Sequence, residues 1–148
     1  MYADLLVPHD GSALSDSALA HALDLAHALR ARVRVLHVIT DFASDAGFGQ
    51  PELAETAREA CQQRAIMEAE QILARARARA TERGVPADSR YLFAVDPHQA
   101  IVEEVARLGC DLIVMASHGR RGIDALLLGS ETRKVLTHCR TPVLVVRP

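Results

Sequence analysis

The sequence predicts an α/β fold: an open parallel sheet of five strands in the order 3-2-1-4-5, with helices on both faces. Three observations lead there. Short apolar runs alternate with longer stretches of helical period, which is the pattern of βαβ units. The run 111–116, DLIVMA, is apolar almost throughout, as a central parallel strand covered on both faces must be. Its 148 residues, 49% hydrophobic and 24% charged, suit a single domain, 1–148, with a core of ordinary size.

The first strand is 3–7, ended by Pro8, His9, Asp10, Gly11 and Ser12, turn residues that stop a strand and can open a helix. Leu19, Ala22, Leu23, Ala26 and Leu29 then fall on one helical face. β-Branched residues alternate through 32–39 (RVRVLHVI), a second strand. Residues 41–51 carry two glycines, two phenylalanines and no period, and read as a loop. From 52 to 83, Ala, Glu, Arg and Gln dominate, and Ala57, Cys61, Ala65, Ala69, Ile72, Ala76 and Ala80 form a narrow apolar stripe. This is one long helix, about 48 Å if unbroken. Arg75, Arg77, Arg79 and Arg83 interleave with alanines near Glu68, Glu70 and Glu82, so they read as a solvated face rather than a basic patch.

Gly84 and Pro86 stop that helix, and 89–95 (SRYLFAV) is the third strand. Asp96 caps the next helix with Pro97 in its first turn, Ile101, Val105, Ala106 and Leu108 face inward, and Gly109 closes it. Strand 111–116 follows. Residues 117–129 are a glycine-punctuated connection, 130–138 a short helix capped by Ser130, and PVLVV, from Pro142 to Val146, the fifth strand.

Seventeen Lys plus Arg against nineteen Asp plus Glu is too even a balance for a protein that lives on nucleic acid or an anionic membrane. The apolar runs fall far short of the ~20 residues a spanning helix needs. The first residues carry acids at 4 and 10 and no long apolar region, so no signal peptide is expected. Cys61, Cys110 and Cys139 are odd in number and far apart, which indicates neither a disulfide framework nor a zinc site and points to a reducing, cytoplasmic compartment.

In parallel sheets, ligands bind beyond the carboxyl ends of the strands, where neighbouring connections diverge. Strands one and four, the most apolar, are the central neighbours, so chemistry is expected at 8–12 and 116–130. The second loop, SHGRRGIDALLLGS, offers Gly119, Gly122 and Gly129 followed by a helix start at Ser130. Glycines admit backbone N–H groups to an anion, and a helix N-terminus carries unpaired donors and about half a positive charge. Together they predict a phosphate cradle. The Walker P-loop is absent, since the only lysine is Lys134, and so is GxGxxG. The histidines form no HxxxH. Ser117 beside His118 is not read as a nucleophile and base, because neighbours on an extended loop point apart and no GxSxG is present. A phospho-acceptor receiver domain also has five parallel strands, but Asp10 lacks an acidic companion and no lysine follows strand five.

VPHDGS at strand one, HVI at strand two, and MASHGRRGIDALLLGSETRKVL ahead of PVLVVR resemble the universal stress protein family, from Leu6 to Arg147. The resemblance implies a Rossmann-like α/β fold that binds an adenine nucleotide, and a stress-response role. The family's nucleotide-binding branch carries a glycine, two residues, a glycine, nine residues, then Gly-Ser or Gly-Thr. Gly119, the nine residues that follow it and Gly129-Ser130 match, whereas Ala116 stands at the first glycine. Alanine narrows backbone freedom but leaves its N–H and C=O available. By resemblance the ligand is ATP, with ADP or AMP as alternatives, and Mg2+ or Mn2+ arrives with the phosphates. Pro8 and Asp10 would line the adenosine side and Val38 would meet adenine through its backbone. Met115, Ala116, Ser117, His118, Gly119, Arg120, Arg121 and Gly122 would surround ribose and phosphates, and Gly129, Ser130 and Glu131 the phosphate tail. Glu131 would either repel a triphosphate or stand in a metal's outer shell. An apolar fifth strand at a sheet edge predicts a homodimer by antiparallel edge pairing. A nucleotide-free dimer that docks an unknown protein partner is the alternative function, and any ATPase activity is expected to be slow.

Overall fold

The computed structural model describes residues 1–40, 51–120 and 127–148, the side chains of 51–54 excepted. The elements are β1 (Asp4–Pro8), α1 (Ala13–Leu29), β2 (Arg32–Thr40), α2 (Pro51–Glu82), β3 (Ala87–Ala94), α3 (Pro97–Leu108), β4 (Leu112–Ala116), α4 (Ser130–His138) and β5 (Val143–Val146). The sheet order is β3-β2-β1-β4-β5, with every pairing parallel, as the sequence predicts.

Alternation along the strands sorts side chains to two faces. Leu5 and Val7 of β1, Val33 and Val35 of β2, and Leu112 and Val114 of β4 pack under α1 and α2, against Leu19, Leu23, Leu73 and Ala76. Leu6, Leu36, Ile113 and Met115 point the other way and pack against Ile101 and Val105 of α3 and Val135 of α4. Each fully buried Leu or Ile contributes about 1.5–3 kcal/mol relative to exposure, so the helices are held mainly by the strands beneath them. The N-terminus of α1 is closed by Ser12, whose Oγ accepts the Ser15 N–H at 3.1 Å. Gly109 ends α3 at φ +69°, a conformation that costs other residues about 1–2 kcal/mol.

The structure departs from the sequence reading at several places. β1 runs one residue further, because Pro8 still pairs with Leu36, while β3 begins at Ala87 and β5 at Val143. The loop expected at 41–51 lies outside the described residues except for Pro51, which already belongs to α2. Ala57 and Cys61 are exposed instead of inward, and the buried stripe of α2 is Ala69, Ile72, Leu73, Ala76 and Ala80. The reason is length. A 32-residue helix measures about 48 Å, against about 30 Å for a nine-residue strand, so its N-terminal part overhangs the sheet. Ala106 is exposed, one position off the face formed by Ala100, Ile101, Glu104 and Val105. Glu104 is buried there because Arg107 (2.7 and 3.0 Å) and Arg90 (3.3 Å) donate to its carboxylate, and the Arg107 bonds hold that carboxyl below its usual range. Among the described residues no helix is long and apolar enough to cross a membrane.

The cysteines differ in exposure. Burial pushes the Cys110 thiol up to about 12, helped by the charge of Asp4, whose Oδ1 lies 3.5 Å from Sγ. Cys61 is exposed on the overhang of α2. A thiol reagent at neutral pH is expected to modify Cys61 promptly and Cys110 only after denaturation, as read by peptide mass. Equal labelling in the folded protein would contradict the burial of Cys110.

Candidate functional site

β1 and β4 are neighbours whose following helices, α1 and α4, lie on opposite faces, so their connections part and leave a cleft at the carboxyl ends. Its volume is about 640 Å³. One wall is apolar, formed by Leu36, Val38, Ile101 and Met115, and Val95 and Pro97 join it from the end of β3 and the start of α3. The opposite wall is polar and built from the loops after β1 and β4.

Asp10 organises that polar wall. Its Oδ1 accepts the Ser12 N–H at 2.9 Å and the Ser15 hydroxyl at 2.7 Å, and its Oδ2 accepts the Arg120 N–H at 2.9 Å, tying the β1 turn to the β4 loop. Burial pushes its carboxyl up, but the bonds from Ser12 and Ser15 and from the Arg120 backbone outweigh this and leave it below its ordinary value. Gly119 lies so close that an added Cβ would run into Asp10 Oδ2. The Arg120 guanidinium lies over Gly11, where φ is +84° and any side chain would collide with it, and reaches Glu68 Oε1 on α2 at 2.6 Å.

At the far side, α4 starts against the end of β4. The Gly129 N–H donates to the Ser117 carbonyl at 2.7 Å, and an added Cβ at Gly129 would stand 3.1 Å from His118 Cα and 3.4 Å from the Ser117 oxygen. Gly129, not Ser130, is therefore the N-cap; Ser130 is the first helical residue, and no side chain caps this helix. An uncapped helix start leaves N–H donors for an acceptor from outside.

Of the residues expected at the site, Pro8, Asp10, Val38, Met115, Ala116, His118, Gly119, Arg120, Gly129, Ser130 and Glu131 line the cleft. Ser117 is buried behind the lining. Its Oγ lies 3.3 Å from His118 Nδ1, so these neighbours do meet, because the chain bends where β4 ends. Arg121 and Gly122 fall outside the described residues. The Ala116 carbonyl already accepts the buried Thr132 hydroxyl at 3.0 Å, so it is less available than the sequence suggests.

Glu131 does something the sequence does not reveal. Its Oε2 accepts the His98 N–H at 2.8 Å, so it caps α3 from another helix while Asp96, at the N-cap, makes no side-chain bond. Lys134 donates to its Oε1 at 3.1 Å. Burial raises the Glu131 carboxyl, but the His98 N–H and Lys134 prevail and hold it low. Its charge is thus engaged by α3 rather than turned loose on the cleft. Glu68, Val95, Pro97 and Thr132 line the cleft unannounced by the sequence; only Thr132, two residues past Ser130, has a local signal.

The chain matches the universal stress protein family over residues 1–147. The universal stress protein MJ0531 of Methanocaldococcus jannaschii is 32% identical over 147 residues, covering 99% of this chain and 83% of that protein. The chain belongs to the universal stress protein family. Among solved structures of the family, MJ0577 of the same organism superposes with a TM-score of 0.85 at 27% identity, covering 100% of this chain and 97% of that one. A universal stress protein in complex with cAMP superposes with a TM-score of 0.69 at 26% identity, covering 99% and 97%. This member keeps the family's five-stranded parallel sheet, and its cleft sits where that sheet's strand order reverses.

Proposed function

We propose that this universal stress protein binds an adenine nucleotide in the cleft, ATP foremost and ADP or AMP otherwise, and regulates a stress response as a dimer in the cytoplasm. The observation that carries this reading is the uncapped start of α4, held backbone to backbone against the β4 loop at Gly129 and facing an apolar slot. The slot formed by Leu36, Val38, Ile101 and Met115 suits a flat heterocycle, and the backbone N–H groups of α4's first turn suit phosphate. The cAMP complex of a relative supports the same ligand class. The glycine fit supports it too, since a Cβ at Gly129 would push the β4 loop away from the start of α4.

Among the described residues no group of three or more His, Cys, Asp or Glu stands ready for a metal, so Mg2+ or Mn2+ accompanying ATP would rest on phosphate oxygens. Asp10, Glu68 and Glu131 are each engaged by donors, which favours slow hydrolysis over rapid turnover. Dimerisation through β5 is supported by its place at the sheet edge and by the exposed Leu144 on it. The three free cysteines accord with a reducing compartment.

A nucleotide-free dimer that docks a protein is favoured by one observation, the occupied Ala116 carbonyl. Isothermal titration with ATP, ADP, AMP and GTP, with and without Mg2+, separates the two. Saturable heat with the adenylates is expected, and none at millimolar ATP would remove the nucleotide reading. Sedimentation of the same samples is expected to show a dimer; a monomer at all concentrations would remove the edge-pairing reading.

A further inference from the structure

We propose that His9 is a positioning residue of the cleft: as the neutral Nε2–H tautomer it holds the Gly11 turn, and through it the Asp10–Arg120 tie, in the ligand-ready arrangement. The inference rests on the cleft being the ligand site.

His9 is 4% exposed and its bonds fix its proton. The Gly11 N–H donates to Nδ1 at 3.0 Å, so Nδ1 must offer a lone pair and Nε2 must carry the hydrogen. Nε2 then donates to Asp16 Oδ1 of α1 at 3.1 Å, and Arg79 of α2 donates to the same oxygen at 2.9 Å. From β2, His37 Nδ1 donates to the His9 carbonyl at 2.7 Å. Asp10 follows in the turn itself, and the Arg120 guanidinium covers Gly11 from the loop after β4. A proton added at Nδ1 takes the lone pair that Gly11 uses and sets two N–H groups against each other. The Gly11 backbone, at φ +84°, lies close beneath Arg120 and Ile72 with its N–H aimed at the ring, so the added proton meets that N–H head on. Burial lowers the His9 pKa and the partner Asp16 opposes that, with a net shift downward.

Ligand binding that requires neutral His9 weakens about tenfold per pH unit below the folded pKa, because each binding event then expels one proton. The probe is cAMP, whose phosphodiester charge does not change in this range. Titrations from about pH 7.5 to about pH 5 are compared between the wild type and His9→Asn, whose Oδ1 can take the Gly11 N–H and does not titrate. We expect the wild type to lose affinity progressively toward the acid end as His9 protonates, His9→Asn to keep a flat profile, and a one-proton step at the Gly11 amide in the 15N spectrum of the wild type alone. Long-range 1H–15N correlation reads the tautomer in the unmutated protein, so the test stands even where the variant folds poorly. A hydrogen on Nδ1 at neutral pH, or a Gly11 step that persists in His9→Asn, overturns the proposal. Absence of binding by both cAMP and ATP at every pH, with the Gly11 step present, counts against the cleft as ligand site and leaves the His9 tie standing.

Discussion

Gly129→Val is expected to weaken nucleotide binding at least severalfold while the sheet stays folded. The backbone at Gly129, φ −60° and ψ 157°, is open to any residue, so valine brings no conformational strain. What it brings is volume. Its Cβ would stand 3.1 Å from His118 Cα, 3.2 Å from His118 Cβ and 3.4 Å from the Ser117 oxygen, and two of those three neighbours are backbone atoms that cannot rotate away. The β4 loop must withdraw from the start of α4, stretching the 2.7 Å bond from Gly129 N–H to the Ser117 carbonyl. Overpacking of this kind costs about 1–3 kcal/mol. Where the cost falls on the ligand-ready arrangement, affinity drops between roughly fivefold and a hundred-and-fiftyfold. Gly129→Ala should fall between. Calorimetric titration beside a thermal melt checks this, and undiminished heat from a folded Val variant would mean that the ligand does not use the start of α4.

Asp10→Ala should be the most damaging single change among the cleft carboxylates. It leaves the Ser12 N–H, the Ser15 hydroxyl and the Arg120 N–H without their acceptor at once. Losing hydrogen bonds to a charged group costs about 1.5–3 kcal/mol, which in a chain of this size lowers Tm by roughly 3–12 °C. The pH dependence has a definite sign. The folded Asp10 carboxyl lies below its ordinary value, so its contribution is complete above the unfolded pKa of about 3.9 and disappears as pH falls through the lowered folded value. Glu104 and Glu131 are lowered as well and act in the same direction. The wild type should therefore lose Tm on acidification more steeply than Asp10→Ala, which has one such group fewer. Parallel curves of Tm against pH would show that Asp10 is not held ionised by these bonds.

Both variants act at the junction of β1 and β4, and that junction is written in short stretches of sequence. Five apolar runs separated by helical periods leave few sheet orders, and the two most apolar runs must be central. Their carboxyl ends then bring Asp10 near Gly119, although the two are more than a hundred residues apart. The helix bounds expected at 130–138 are those of the structure, although the cap read at Ser130 falls to Gly129. Each of these rests on a preference that acts over a few residues, namely strand alternation, helical period or turn chemistry.

The tertiary structure decided the rest, because it depends on distances between elements that no local pattern encodes. α2 overhangs the sheet since its length exceeds the strand beneath it, so Cys61 is exposed although its spacing matches the buried stripe. Glu131 caps α3 from another helix, because the packing of α3 beside α4 brings the His98 N–H to 2.8 Å. Asp96, at the N-cap, makes no side-chain capping bond. The His9 tautomer is set by Gly11, Asp16 and Arg79, groups drawn from the turn, from α1 and from α2. Sequence by itself determined the class, the strand order and the end of the sheet at which a ligand can sit. Only the folded chain decided which acids are spent on holding helices and which backbone donors remain open, since hydrogen bonds are won within a few tenths of an ångström and residue spacing constrains nothing that fine.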